Sequence, residues 1–121
     1  MNDRILNFTQ HEATLDQAVG GLFEPDNKAQ VKTLLTLNGI KNAVQLTSLI
    51  RERVDKLTRI AISSGFNKVL IGGHPGLTSA LAIKLKKNNI EPVMAHSDRM
   101  VLKDEAGIKT FKFEHAFFYN V

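Results

Sequence analysis

The chain contains no cysteine and no tryptophan. The first absence removes disulfides, thiolate zinc sites and cysteine nucleophiles together. The second, with a single tyrosine and no alternation of basic and aromatic residues, argues against a stacking surface for single-stranded nucleic acid. No dedicated DNA-binding motif is present. No apolar run approaches the roughly 20 residues that a membrane span needs. The opening Met1-Asn2-Asp3-Arg4-Ile5-Leu6-Asn7-Phe8 lacks a signal-peptide apolar region. A cytoplasmic protein without membrane contact is expected.

Several catalytic signatures are missing as well. There is no G-x-G-x-x-G fingerprint and no G-K-[ST] after a glycine turn. Without G-x-S-x-G there is no hydrolase nucleophile elbow. The histidines show neither H-E-x-x-H nor H-x-x-x-H spacing, so no metal site is expected. Asp3, Glu12, Asp16, Asp98, Asp104 and Glu105 form no paired-carboxylate spacing suited to a glycosidase or a two-metal centre. No cofactor is expected either.

What remains fits one domain spanning residues 1–121, with 43% apolar residues to build its core. The net charge of +4 favours anionic partners through long-range attraction, and it serves plain solubility equally well. The cations are spread along the chain, at Arg51, Arg53, Lys56 and Arg59, at Lys84, Lys86 and Lys87, and at Lys109 and Lys112.

The order of elements reads as α/β. Arg4–Thr9 is a short strand. Thr14-Leu15-Asp16-Gln17 has capping-box spacing for a short helix that Gly20-Gly21 ends. Asn27 caps a helix over Lys28–Leu37, and Asn38-Gly39 stops it. Asn42–Ser64 repeats apolar residues at Leu46, Leu49, Ile50, Val54, Leu57 and Ala61, an amphipathic helix lying on a sheet, with Gly65 as its stop. Lys68–Ile71 is apolar on both faces, as a central parallel strand is. A helix over Gly76–Lys87 and a strand over Glu91–His96 follow. Ser97-Asp98-Arg99 then leaves that strand. Met100–Leu102 and Lys109–Tyr119 flank a turn at 104–107. Strands alternating with helices predict a small Rossmann-like three-layer sandwich with parallel core strands and a C-terminal β-hairpin.

This layout sets three polar clusters at one edge of the sheet: Thr9-Gln10-His11, Gly72-Gly73-His74 and Ser97-Asp98-Arg99. Ligands of open parallel sheets bind at that edge. The second cluster is the most informative. An apolar strand stops at Gly72-Gly73, and a helix begins at once with Pro75-Gly76-Leu77-Thr78-Ser79. Glycine lets the backbone approach a ligand, and a helix start offers free N–H groups to an anion, most often a phosphate. A tight strand-to-helix turn uses glycine for structure alone, too. Gly72, Gly73, Gly76 and Thr78 are candidate ligand contacts, with Thr9, Gln10 and Ser97 from the flanking clusters. His11 and His74 can exchange protons or touch phosphate near neutral pH. Arg99 can bind a phosphate through two N–H groups, or pair with a surface carboxylate. His96 reads as a buried strand histidine. His115 either closes over the pocket or pairs with a carboxylate. Phe111, Phe113, Phe117, Phe118 and Tyr119 crowd the C-terminus, where they fill core or pair with a second copy. A homodimer is expected.

The stretch Ile71-Gly72-Gly73-His74-Pro75-Gly76-Leu77-Thr78-Ser79-Ala80-Leu81 resembles the second motif of CRISPR-associated Rossmann-fold (CARF) domains. In that family a glycine-rich turn after a core strand contacts cyclic oligoadenylate. Thr9–Thr14 occupies the place of the family's other ligand turn. His74-Pro75-Gly76 stands where the family usually carries Gly-Thr-Lys or Gly-Thr-Arg. The small size is similar to that of stand-alone members, some of which are ring nucleases in antiviral defence. The resemblance implies a symmetric pocket between two subunits, with backbone N–H groups from Gly73 onward holding phosphates. It also implies metal-independent cleavage by in-line attack of a ribose 2′-hydroxyl. His11, His74 and Arg99 are then the candidate catalytic residues. Two readings stand open: a protein that binds a nucleotide or cyclic oligonucleotide, with or without cleaving it, and a non-catalytic accessory protein of a mobile element or defence system. A phosphotransfer enzyme ranks below both, because no nucleophile is evident.

Overall fold

The computed structural model describes residues 4–103, 105–107 and 109–121, with side chains described outside 98–103 and 109–116. In chain order the elements are β1 (Ile5–Phe8), α1 (Leu15–Val19), β2 (Leu22–Phe23), α2 (Lys28–Leu35), α3 (Ala43–Ser64), β3 (Lys68–Ile71), α4 (Pro75–Lys87), β4 (Glu91–Lys103) and β5 (Lys109–Asn120). They form an α/β fold on one mixed sheet of order β2-β1-β3-β4-β5. β1 pairs in parallel with both β2 and β3, and β3 pairs in parallel with β4. Only β4–β5 is antiparallel. The chain leaves β1 toward one side for β2, then crosses back to β3 on the other. The strand order therefore reverses between β1 and β3.

Side-chain alternation divides the core. Leu6, Phe8, Val69 and Ile71 face Val31, Leu34 and Leu35 of α2, Val54, Leu57 and Ala61 of α3, and Leu77, Leu81 and Leu85 of α4. Ile5, Leu22, Leu70 and Val93 face the opposite way, onto Ala13, Ala95 and Phe118. Each fully buried leucine or valine contributes about 1.5–3 kcal/mol relative to exposure. Among the described residues, more apolar side chains are buried on the helix-covered face than on the other. No helix among the described residues is long and apolar enough to cross a membrane.

Local signals act where the sequence placed them at most element ends. Thr14 Oγ1 accepts from the Gln17 N–H at 3.2 Å, and the Thr14 N–H donates to Gln17 Oε1 at 3.0 Å, closing the capping box. Asn42 Oδ1 accepts from the Gln45 N–H at 2.8 Å, and Gly65 ends α3 with φ +75°. Asn27 is different. Its side chain caps no N–H and donates instead to Gln30 Oε1 at 2.7 Å. α2 stops two residues short of Leu37, where Thr36 turns extended. In α3 only the C-terminal half is buried. Val44 is 81% exposed, and Leu46 and Leu49 are half-buried.

The largest departure is at β4. The strand does not end at His96, and Ser97-Asp98-Arg99 does not leave it. β4 continues to Lys103 because β5 supplies ladder partners throughout, from Val93 opposite Asn120 to Lys103 opposite Lys109. A register shift between His96 and Ser97 marks a bulge where a turn was expected. Met100–Leu102 thus belongs to the same strand. Of the expected 104–107 turn, Asp104 lies outside the described residues, and Gly107 has φ +79°. His96 is exposed rather than buried, with its ring stacked on Phe117 at 5.0 Å between centroids. The two residues of β2 are too few to carry a readable period in the sequence.

Candidate functional site

Phe8 pairs with Ile71, so the turns that follow β1 and β3 leave the sheet side by side. This is the switch point, where an open parallel sheet has a natural crevice at its carboxyl edge. A cavity of about 330 Å³ lies there, lined by Thr9, Gln10, His11, Gly72, Gly73 and Ser97, with Gln17 beside them and Leu70, Ile71, Met94 and Ala95 as its apolar wall. The structure brings together these six sequence-derived candidates. It does not bring His74, Gly76 or Thr78 into the lining. Arg99 pairs with Phe113 within β4–β5, and its side chain lies outside the described residues, as does that of His115. A larger cavity of about 560 Å³ lies between Pro25 and Asp26 on one side and Arg59, Ser63 and Phe66 on the other. It shares no lining residue with the switch-point cavity.

Asn7, Glu24 and Lys28, none of them a candidate on sequence grounds, hold the turn after β1. Asn7 is a buried polar residue, 1% exposed, in the middle of an apolar strand. Its Nδ2 donates to the His11 carbonyl at 2.8 Å and to Glu24 Oε1 at 2.9 Å. Its Oδ1 accepts from the Thr9 N–H at 3.1 Å and from Thr9 Oγ1 at 2.6 Å. Glu24 Oε1 also accepts from the Ala13 N–H at 2.7 Å, and Glu24 Oε2 meets Lys28 Nζ at 2.8 Å. Lys28 Nζ donates to the Thr9 carbonyl at 3.0 Å. Burial is the largest single influence on Glu24 and raises its pKa. The hydrogen bonds from Lys28, Asn7 and Ala13, with the Lys28 charge, outweigh it and hold the carboxyl below its ordinary value. Two signals in the sequence could have revealed this scaffold: a lone Asn inside Ile5–Phe8, and Glu24 four residues before Lys28.

These bonds sort the candidates by what each has left to offer. The Thr9 proton serves Asn7 Oδ1 or the His11 carbonyl, so toward a ligand its oxygen can only accept. Gln10 Nε2 is occupied by the Lys32 carbonyl and Thr36 Oγ1. The exposed His11 imidazole makes no hydrogen bond among the described residues.

The turn after β3 divides in the same way. Gly73 has φ +115°, a conformation that side chains resist. Its N–H and that of His74 make no hydrogen bond among the described residues. A Cβ at Gly72 would meet Thr9 Cγ2 at an ordinary 3.6 Å, so position 72 is not restricted by space. His74 is the N-cap of α4. Its Nδ1 accepts from the N–H groups of Gly76 at 3.1 Å and Leu77 at 3.4 Å. Two of the helix-start donors expected to face an anion are therefore taken by the protein's own imidazole. Pro75 has no N–H to give. Gly76 makes room for the ring, since a Cβ there would lie 3.2 Å from both His74 Cε1 and Ile50 Cδ1. No cluster of three or more His, Asp or Glu able to hold a metal occurs among the described residues.

No curated protein and no solved structure matches this chain. A family model described as "Uncharacterized protein MJ1673 family" matches residues 3–119. The match takes in both turns of the switch-point cavity and the whole sheet that positions them. The chain therefore belongs to the uncharacterized MJ1673 family.

Proposed function

We propose that this protein binds a nucleotide, of the cyclic oligonucleotide class, at the switch-point cavity. The supporting observation is the pairing of two turns there. One contributes the unengaged N–H groups of Gly73 and His74 beside a backbone position reserved for glycine. The other contributes an imidazole, that of His11, whose backbone carbonyl is held by Asn7, Thr9 and Lys28 while its ring stays exposed. Backbone N–H groups beside a glycine suit a phosphate. Ser97 and the Thr9 oxygen hydrogen-bond sugar or base, and Met94 and Ala95 give the base an apolar wall. The resemblance of Ile71–Leu81 to the CARF ligand turn points to cyclic oligoadenylate, and to a role in CRISPR-type antiviral defence in the cytoplasm. A cavity of about 330 Å³ is small for a ring of several nucleotides. Such a ligand is shared between two copies, each supplying half of the pocket.

Cleavage, where it occurs, uses His11 and no metal. The ribose 2′-hydroxyl gives its proton to the His11 imidazole and attacks the adjacent phosphorus. The P–O5′ bond breaks, a 2′,3′-cyclic phosphate forms, and O5′ takes up a proton. His74 has a different task, since its Nδ1 is committed to the cap. Incubation with cyclic tri-, tetra- and hexa-adenylate, followed by chromatography of the products, tests this. His11→Ala is expected to keep binding and to lower any turnover by about 10²–10⁴-fold. Unchanged turnover in His11→Ala removes the catalytic assignment.

A second reading has its own observation. β5 is an edge strand, and Phe117 and Tyr119 are 53% and 42% exposed on one face of it. An accessory protein that docks a partner there needs no turnover. It predicts that Gly73→Val leaves partner binding intact.

A further inference from the structure

A threonine in a helix can satisfy its hydroxyl on the carbonyl one turn back. Thr33 in α2 and Thr47 in α3 do so at 3.0 and 2.9 Å, and Thr36, just past the end of α2, does so at 2.8 Å. Thr58 in α3 does not. It is 3% exposed, and its Oγ1 has no hydrogen-bond partner among the described residues. The back-bond to Val54 is the obvious local solution for a buried helical threonine, and this hydroxyl forgoes it. A buried polar atom without a partner is uncommon in native proteins and calls for a cause.

Thr58 lines a groove of about 300 Å³ between α3 and α4, with Asp55, Arg59, Ile62, Lys84 and Asn88. Lys84 Nζ stands 3.8 Å from Asp55 Oδ1, a loose pair with both side chains about half exposed. Asn88 Nδ2 is spent on the Lys84 carbonyl at 2.9 Å. Arg59 makes no ion pair or hydrogen bond among the described residues. Two cations thus meet one carboxylate over a hydroxyl that lacks a partner. The local charge is positive, and α4 places the groove at the opposite end of the helix from the Gly73 turn.

We infer that this groove is a second binding site, for a small oxyanion, a phosphate or a carboxylate. The Thr58 hydroxyl donates to one ligand oxygen, and the Arg59 guanidinium engages others through its paired N–H groups. Because Thr58 is buried, the anion reaches it by displacing the loose Lys84–Asp55 pair, after which Lys84 is shared between Asp55 and the ligand.

The test is an amide NMR titration with potassium phosphate and, separately, potassium acetate, against potassium chloride at constant ionic strength. The wild type is expected to show saturable shifts at residues 55–62 and 84–88. Response to phosphate alone assigns a phosphate ester, and response to both assigns oxyanions generally. Thr58→Val keeps the shape and removes the hydroxyl, so the variant should fold at least as stably. It should weaken binding by about tenfold or more, as should Arg59→Ala. Shifts that never saturate, or a Thr58→Val variant that binds as well as wild type, overturn the inference. So do saturable shifts confined to residues 9–11 and 72–76, which would instead support the switch-point site. A more stable Thr58→Val with no anion response in the wild type would leave the hydroxyl as a buried cost and reject the site.

Discussion

At the scale of the residue, Asn7 decides whether the pocket has a wall. One amide serves Thr9, His11 and Glu24 at once, and no apolar residue can replace those bonds. Asn7→Ala strands buried donors and acceptors at about 1–3 kcal/mol for each group left unsatisfied. A loss of at least about 2 kcal/mol in urea unfolding is expected, along with loss of any ligand-induced stabilisation. Glu24 adds a pH dependence. Its folded pKa lies below the ordinary 4.5, so folding is favoured by its ionised form. That contribution is complete above the unfolded value and is lost as the pH falls through the folded one. The urea midpoint of the wild type should drop below about pH 4.5, and Glu24→Gln should flatten that part of the profile. An equal drop in the variant assigns it to other carboxylates. The buried asparagine was open to reading as a polar interruption in a strand. Its four hydrogen bonds were not, because three of them depend on how a turn folds back in space.

At the scale of the element, α4 shows how a motif can be located correctly while its parts serve different ends. The strand–turn–helix unit was legible almost residue for residue, because β3 is a continuous apolar run and Gly72-Gly73 and Pro75 are strong punctuation. What could not be read was that His74 turns its ring onto its own helix. That depends on a rotamer and on the space at Gly76. The two histidines should therefore separate experimentally. His74→Ala is expected to cost about 0.5–2 kcal/mol of stability, as lost helix caps do. Gly76→Ala should cost a similar amount by crowding the ring. His11→Ala, with an imidazole that makes no internal bond, should leave the thermal midpoint nearly unchanged. Equal destabilisation by His11→Ala and His74→Ala would contradict this division. β4 illustrates the opposite limit. Its extension past His96 is dictated by pairing with β5, a long-range partner, and Ser97-Asp98-Arg99 carries the polar composition of a turn. Local pattern points one way and the ladder wins.

At the scale of the whole molecule, the reversal of strand order between β1 and β3 places the cavity on which the proposed function rests. It opens the crevice, and α2 and the β2 edge supply the scaffold that shapes one side of it. The edge position of β5, with Phe117 and Tyr119 exposed, suits association with a second copy of the chain. Light scattering after size exclusion should give a dimer mass. Phe117→Glu with Tyr119→Glu should shift it to a monomer and weaken binding of any ligand shared between the two pockets. A monomeric wild type that binds at full affinity would remove the shared-pocket arrangement. Both the shared pocket and the His11 chemistry depend on nucleotide binding at the Gly73 turn. Its most direct test is a thermal-shift comparison of wild type and Gly73→Val with cyclic tri-, tetra- and hexa-adenylate, cyclic dinucleotides, ATP and NAD. A cyclic oligonucleotide is expected to raise the wild-type midpoint in a concentration-dependent way and to leave the folded variant unmoved. An unmoved wild type, or a variant stabilised as much as wild type, would contradict it.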